Sequence, residues 1–320
     1  MPEQSPDAGA DAPPPFSFPS EAPAPGNTIT KIEVPDVPEE DKVKKKLGLI
    51  FWIAAGWVVL VLLLAIFADL LPLPSPSEPV KDCGQRFCNR LPPGPGHIFG
   101  TDQNSRDIFS RIIYGGRISM MVGVASIVIG MLVGGTIGII AGYFRGTVDS
   151  VLMSFSDIVL AFPPLLLALA IVSFRDSRTV ANVVMAIAIV SIPPIARLVR
   201  ANTLVFTQRE FVLASRTLGA SHLRVIVKEV LPNVMLPIFS FAIIGVAIAI
   251  IAEGGLAFLG LSVQPPTPTW GDMINFGVQY LQNYPHITLI PCAVMFLTIL
   301  SLNLAGDRMR EYLDVKDSVL

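Results

Sequence analysis

The sequence predicts an all-α integral membrane protein of six transmembrane helices with a structured loop on the cytoplasmic side. Three observations carry this. The chain is 52% hydrophobic and 15% charged, with mean hydropathy +0.62, whereas a soluble chain is about one-quarter charged. Its apolar residues are gathered into runs near the ~20 residues that cross a ~30 Å hydrocarbon core at ~1.5 Å per residue. One segment between such runs, residues 209–232, is instead charged and reads as two short helices broken at Gly219.

Taken in order, residues 1–46 form an acidic, proline-rich tail: the first 41 hold ten prolines and nine acidic residues but one lysine. That composition buries too little apolar surface to offset the entropy of ordering, which predicts a disordered cytoplasmic tail, inert or partner-binding. The first span covers 48–71, within a segment 47–71, and is too long for a cleaved signal peptide. Residues 72–117 make the largest outer segment. Ile108, Phe109, Ile112 and Ile113 recur there at helical spacing, with Arg106, Asp107, Ser110 and Arg111 on the other side. This predicts an amphipathic helix at the outer interface, started by Thr101 or Asp102. A five-helix core follows over 118–306, with spans at 119–141, 151–174, 180–195, 238–258 and 287–305 and a loop at 200–235. Residues 307–320 are a cytoplasmic tail.

Lys and Arg placement orients the chain. With both termini inside, 15 basic residues fall on the cytoplasmic side and 8 outside. Lys42, Lys44, Lys45 and Lys46 flank the first span. Cys83 and Cys88 then lie outside, where a disulfide is permitted; the alternative is two idle thiols. Two cysteines with no histidine at useful spacing are too few for a metal site. Cys292, in the last span, reads as packing.

Within the spans, Ser126, Gly130, Gly134, Gly138 and Gly142 place a small residue at every fourth position. Such a stripe lets another helix backbone approach closely, either within the chain or from a second subunit. Pro163-Pro164 and Pro193-Pro194 predict kinks, serving a moving gate or a static bundle alike. Asp157 and Glu253 are the intramembrane carboxylates. Each must face protein or water rather than lipid, as part of a pathway or bonded to a helix end or hydroxyl. No Gly-x4-Gly-Lys-Ser/Thr loop occurs, and His97, His222 and His286 are scattered, so no catalytic constellation is present.

The loop at 209–232 reads as an elbow. One helix runs over 209–218, Gly219 supplies a left-handed turn, Ser221 caps a second helix and Pro232 ends it. A merely amphipathic surface loop would explain its charge but not the joint placement of Ala214, Gly219 and Leu231-Pro232.

That placement, with Ala214-Ser215, then Gly219, then Leu231-Pro232, resembles the ATPase-coupling loop of binding-protein-dependent ABC importers. Residues 99–117 resemble the signature preceding span 2 in dipeptide/oligopeptide permeases, with Ser105 where the family usually has Gly. Residues 256–274 and 302–314 are similar to the span 5–6 loop and C-terminal signature of the C-type subunit. The resemblance covers about residues 45–315. In the coupling loop Leu213 stands for the usual Glu and Ser215 for a second Ala; Glu229 stands where peptide permeases often have His.

The resemblance implies the ABC type I importer permease fold in the bacterial inner membrane, a transport subunit and not an enzyme. Its coupling residues would be Glu210, Leu213, Ala214, Ser215, Leu218, Gly219, Ala220, Leu231 and Pro232. It implies a related B-type permease as heterodimer partner, two ATPase subunits and an extracytoplasmic binding protein that delivers di- or oligopeptides. No cofactor is expected on this chain, with ATP and Mg on the ATPases, and no nucleic acid. A nickel-type permease of the same family is the near alternative. A secondary active transporter is the distant one, and would need more titratable groups at the midplane than Asp157 and Glu253.

Overall fold

The computed structural model describes residues 48–81, 88–174 and 177–317; the expected tail over 1–46 and Cys83 lie outside them. Among the described residues ten α-helices follow one another: α1 Gly48–Ile66, α2 Ile108–Phe144, α3 Gly146–Leu160, α4 Pro164–Ser173, α5 Val180–Phe206, α6 Glu210–Thr217, α7 His222–Val225, α8 Leu231–Phe258, α9 Trp270–Val278 and α10 His286–Asp317.

Five stretches are long and apolar enough to cross a membrane: α1, α2, α5, the run from α7 through α8, and α10. The sixth expected span is α3 and α4 together, bent by 82° where they meet. The cause is local. Proline disfavours the helical region for its predecessor, and Pro163, which precedes Pro164, sits at ψ 126° as the N-cap of α4. Pro193-Pro194 breaks nothing, because α5 continues through both to Phe206 while packed along α2.

Three expectations are corrected. The interfacial helix does not stand apart: α2 starts at Ile108 and runs 37 residues, ~55 Å. Ser110 and Arg111 are buried along with Ile108, Ile112 and Ile113. Burial is tolerated because the 72–81 segment supplies acceptors: Ser110 Oγ donates to Pro74 O at 2.6 Å, and Arg111 Nη1 to Pro76 O at 2.9 Å. The cap of α2 is Asp107, which accepts from Ser110 N at 2.8 Å, rather than Thr101 or Asp102. Asp102 instead closes the preceding turn, accepting from the N–H groups of Asn104 and Arg106, both at 2.8 Å. Within that turn Ser105 takes φ +61°, a left-handed conformation that favours glycine.

Pro232 does not end the second elbow helix. Residues 226–230 form a single π turn, and the chain runs on helically from His222 to Phe258. The wider turn bonds Leu231 N to Ile226 O, five residues back. It thereby absorbs a proline that would clash with the carbonyl four residues before it. Asn233 Nδ2 then donates to Glu229 O at 2.6 Å. Within the segment expected as the C-terminal tail, α10 extends as helix to Asp317.

Side chains pack in three layers along the bundle. A central cluster joins α2, α5 and α8 through Val122, Ile127, Val183, Ile187, Ala247 and Ile250. At one end Val199, Val212, Val225, Val230 and Val234 seat the elbow; at the other, Ile108, Ile112, Met273 and Ile287 seat α9. Large apolar residues such as Leu132, Phe155, Ile248 and Phe296 stay exposed, as suits surfaces facing lipid or another subunit.

Candidate coupling surface and transport path

The elbow is a built structure. α6 ends in a Schellman motif: Gly219 N bonds Arg216 O at 3.0 Å, and Ala220 N bonds Ser215 O at 3.1 Å. Gly219 has φ +82°. A Cβ there would meet nothing within 4 Å, so backbone conformation rather than space demands glycine. Ser221 is the N-cap of α7 but makes no side-chain capping bond.

Val212, Val225 and Val230 are fully buried and fasten the elbow to the bundle. The polar side of the seat is Tyr143, at the end of α2. Its hydroxyl lies 3.0 Å from His222 Nδ1, and the Arg216 guanidinium sits 4.6 Å from its ring centroid. Sequence reasoning missed this seat; the signal was an aromatic residue directly after the last glycine of the stripe. On the other side, Leu213, Leu218 and Leu223 are exposed, Leu218 at 88%, with Ala214 between them exposed as well. Beside the elbow a recess lined by Phe206, Gln208, Arg209, Glu210, Phe211, Glu229 and Asn233 brings Glu210 close to the π turn. Leu231 and Pro232 lie at the base of the elbow, where the π turn joins α8.

The small-residue stripe faces α5 of the same chain. A Cβ on Gly134 would lie 2.6 Å from Ile192 O, one on Gly138 2.5 Å from Ala196 O, and one on Gly142 2.9 Å from Arg200 O. Gly130 meets the Ile195 side chain, and Ser126 Oγ donates to Val184 O at 3.1 Å. Of the two readings left open by the sequence, packing within the chain is the one observed.

Asp157 is exposed on α3 and pairs with Arg197 Nη2 of α5 at 2.5 Å. A second pair, not singled out from the sequence, lies nearby. Arg200 grips Asp149 with Nε at 2.5 Å and Nη2 at 2.6 Å, a bidentate contact. The two pairs tie α3 to α5 and leave Asp157 and Arg197 more than half exposed.

Glu253 is fully buried, so it faces no open path in this structure. Its carboxyl meets Ser262 Oγ at 2.5 Å and Ser119 Oγ at 3.3 Å, and Thr269 bonds it as well. The reading of a carboxylate bonded to neighbouring hydroxyls describes it. Cys88 is disulfide-bonded and Cys292 is free; Cys83, the expected partner of Cys88, lies outside the described residues. Among the described residues no cluster of three or more His, Cys, Asp or Glu is placed to hold a metal ion.

Known proteins share this design. The family described as binding-protein-dependent transport system inner membrane component matches residues 134–316. The chain is 41% identical over 266 residues to the glutathione transport system permease protein GsiD of Pectobacterium atrosepticum, covering 82% of this chain and 86% of that one. It is likewise 41% identical over 265 residues to GsiD of Escherichia coli, covering 82% and 85%. Among solved structures, the inward-facing MetNI methionine ABC transporter aligns with TM-score 0.52 at 18% identity, over 64% of this chain and 97% of that one. That likeness speaks to the fold. By the family match and these relatives, the chain is an ABC importer permease and not an enzyme: it belongs to the binding-protein-dependent transport system inner membrane components.

Proposed function

We propose that this permease imports peptide-type substrates, short peptides of the glutathione kind among them, delivered by an extracytoplasmic binding protein. The observation that carries the substrate class is the 41% identity to glutathione permeases over 82% of the chain. Both termini and the elbow face the cytoplasm in this reading, following the 15 to 8 bias of basic residues. A related B-type permease completes the path, and two ATPase subunits holding ATP and Mg grip the elbows.

The geometry suits that grip. Leu213, Ala214, Leu218 and Leu223 present an exposed apolar ridge, while Val212 and Val225 hold its back to the bundle. Glu210 opens α6, Ala220 N bonded to Ser215 O closes the turn after it, and Leu231-Pro232 lies where the elbow joins α8. A handle so fastened moves as a rigid body, so ATPase closure rocks it and alternates access across the membrane. Asp157, exposed beside Arg197, is the pathway candidate: its carboxylate suits a peptide ammonium and the guanidinium a peptide carboxylate.

The test is uptake in proteoliposomes holding the whole complex, with its binding protein identified by mass spectrometry after gentle purification. ATP-dependent accumulation of labelled glutathione or dipeptide is expected. Uptake of Ni2+ with no peptide uptake would move the chain to the nickel-type permeases, and uptake driven by a proton gradient without ATP would refute the reading.

A further inference from the structure

Glu253 is costly to bury, and packing alone would be served better by leucine. Its surroundings explain its presence. Ser119 on α2 accepts from Trp270 N at 3.1 Å, and Thr269 accepts from Asp272 N at 3.1 Å. Each hydroxyl oxygen thus accepts from a backbone N–H and keeps its own proton free to donate to Glu253. With Ser262 this makes three hydroxyls from two distant parts of the chain converging on one carboxyl. The same region is closed sterically. A Cβ on Gly271 would sit 2.7 Å from Gly254 Cα, and one on Gly116 2.8 Å from Trp270 Cζ2. Trp270 Nε1 donates to Ile112 O at 3.0 Å. Residues 259–278 therefore form a cap fixed to the ends of α2 and α8, and Gln264 N, bonded to Arg178 O at 3.1 Å, adds the α4–α5 connection.

The opposite end of the same helical run is the elbow. From His222 the chain is helical without a break to Phe258, so Glu253 lies ~46 Å along one rod from α7. We propose that Glu253 is a positioning residue that locks this rod to the cap through Ser262, Thr269 and Ser119, so that movement of the elbow reaches the cap on the far side. The inference rests on the reading that the ATPases grip the elbow.

The assembled transporter tests it, with Cys292→Ser to remove the free thiol and Gln264→Cys to place one on the exposed part of the cap. The rate of labelling by an impermeant maleimide is compared without nucleotide and after vanadate trapping with Mg-ATP. With the lock intact the rate should change by at least about fivefold, the lower end of ordinary coupling between sites. Ser262→Ala and Glu253→Gln should abolish that change while the complexes still hydrolyse ATP. A preserved change in both, or no change with the lock intact, overturns the proposal. So does failure of both variants to assemble, which would make the cluster a folding element instead. Gly219→Val separates the two readings: a labelling change that survives it discredits the elbow reading, while its loss in the lock variants concerns Glu253 alone.

Discussion

Gly138→Ala adds one carbon where two helices already touch. That carbon would lie 2.5 Å from Ala196 O, 2.7 Å from Val199 Cβ and 2.9 Å from Arg200 N, of which two are backbone atoms of α5. Backbone cannot rotate out of the way as a side chain can, so α5 must move off by several tenths of an ångström or more. The displacement loosens its neighbours Gly134 and Gly142, which touch the same helix. Overpacking of this kind costs about 1–3 kcal/mol. Gly135 provides the control, because a Cβ there meets nothing within 4 Å. Gly135→Ala removes freedom from the unfolded chain and should stabilise by about 0.4–1 kcal/mol. The two variants, three residues apart on one helix, should shift in opposite directions and differ by about 1.4–4 kcal/mol. Thermal unfolding of the purified complex in detergent measures this, as a lowered midpoint for the first and an unchanged or raised one for the second. Equal midpoints would refute the reasoning and mean that the stripe does not pack on α5.

Other predictions follow from single sites. Gly219→Val should strain the elbow by about 1–2 kcal/mol, since a β-branched residue is penalised at φ +82°. Gly219→Asn should be tolerated; both should insert, with peptide uptake uncoupled from ATP hydrolysis only in the first. Ala214→Trp, on the exposed ridge, should leave folding intact and release the ATPases, seen as their loss from the purified complex. After mild reduction of intact cells, an impermeant maleimide should label Cys88; labelling only after permeabilisation would reverse the orientation. Asp272 in the cap is held up to about 6 by burial, against the opposing pull of Arg111. Its raised value means that its contribution to stability is complete below its ordinary 3.8 and is lost as pH rises through about 6. Asp272→Asn should therefore flatten the fall in melting temperature between pH 5 and pH 7, a swing on the order of 1 kcal/mol.

The sequence by itself determined the features that depend on near neighbours. Runs of apolar residues placed the membrane helices, because span length is set by rise per residue. Gly219 placed the elbow turn, because few other residues enter the left-handed region cheaply. The spacing of Ser126, Gly130, Gly134, Gly138 and Gly142 announced one close-packed helix face.

Tertiary structure decided what those features meet. The stripe could have served another subunit, and only the approach of α5 carbonyls shows where it packs. Two proline pairs looked alike in sequence; Pro163-Pro164 bends its span by 82°, whereas Pro193-Pro194 lies within one continuous helix packed against α2. Pro232 read as a stop, yet a π turn over 226–230 carries the helix past it. Glu253 stayed open between a pathway carboxylate and one bonded to hydroxyls because its partners, Ser119, Ser262 and Thr269, lie on remote segments. A local pattern fixes how a segment folds, but the partner of a buried polar group is chosen only when distant segments meet.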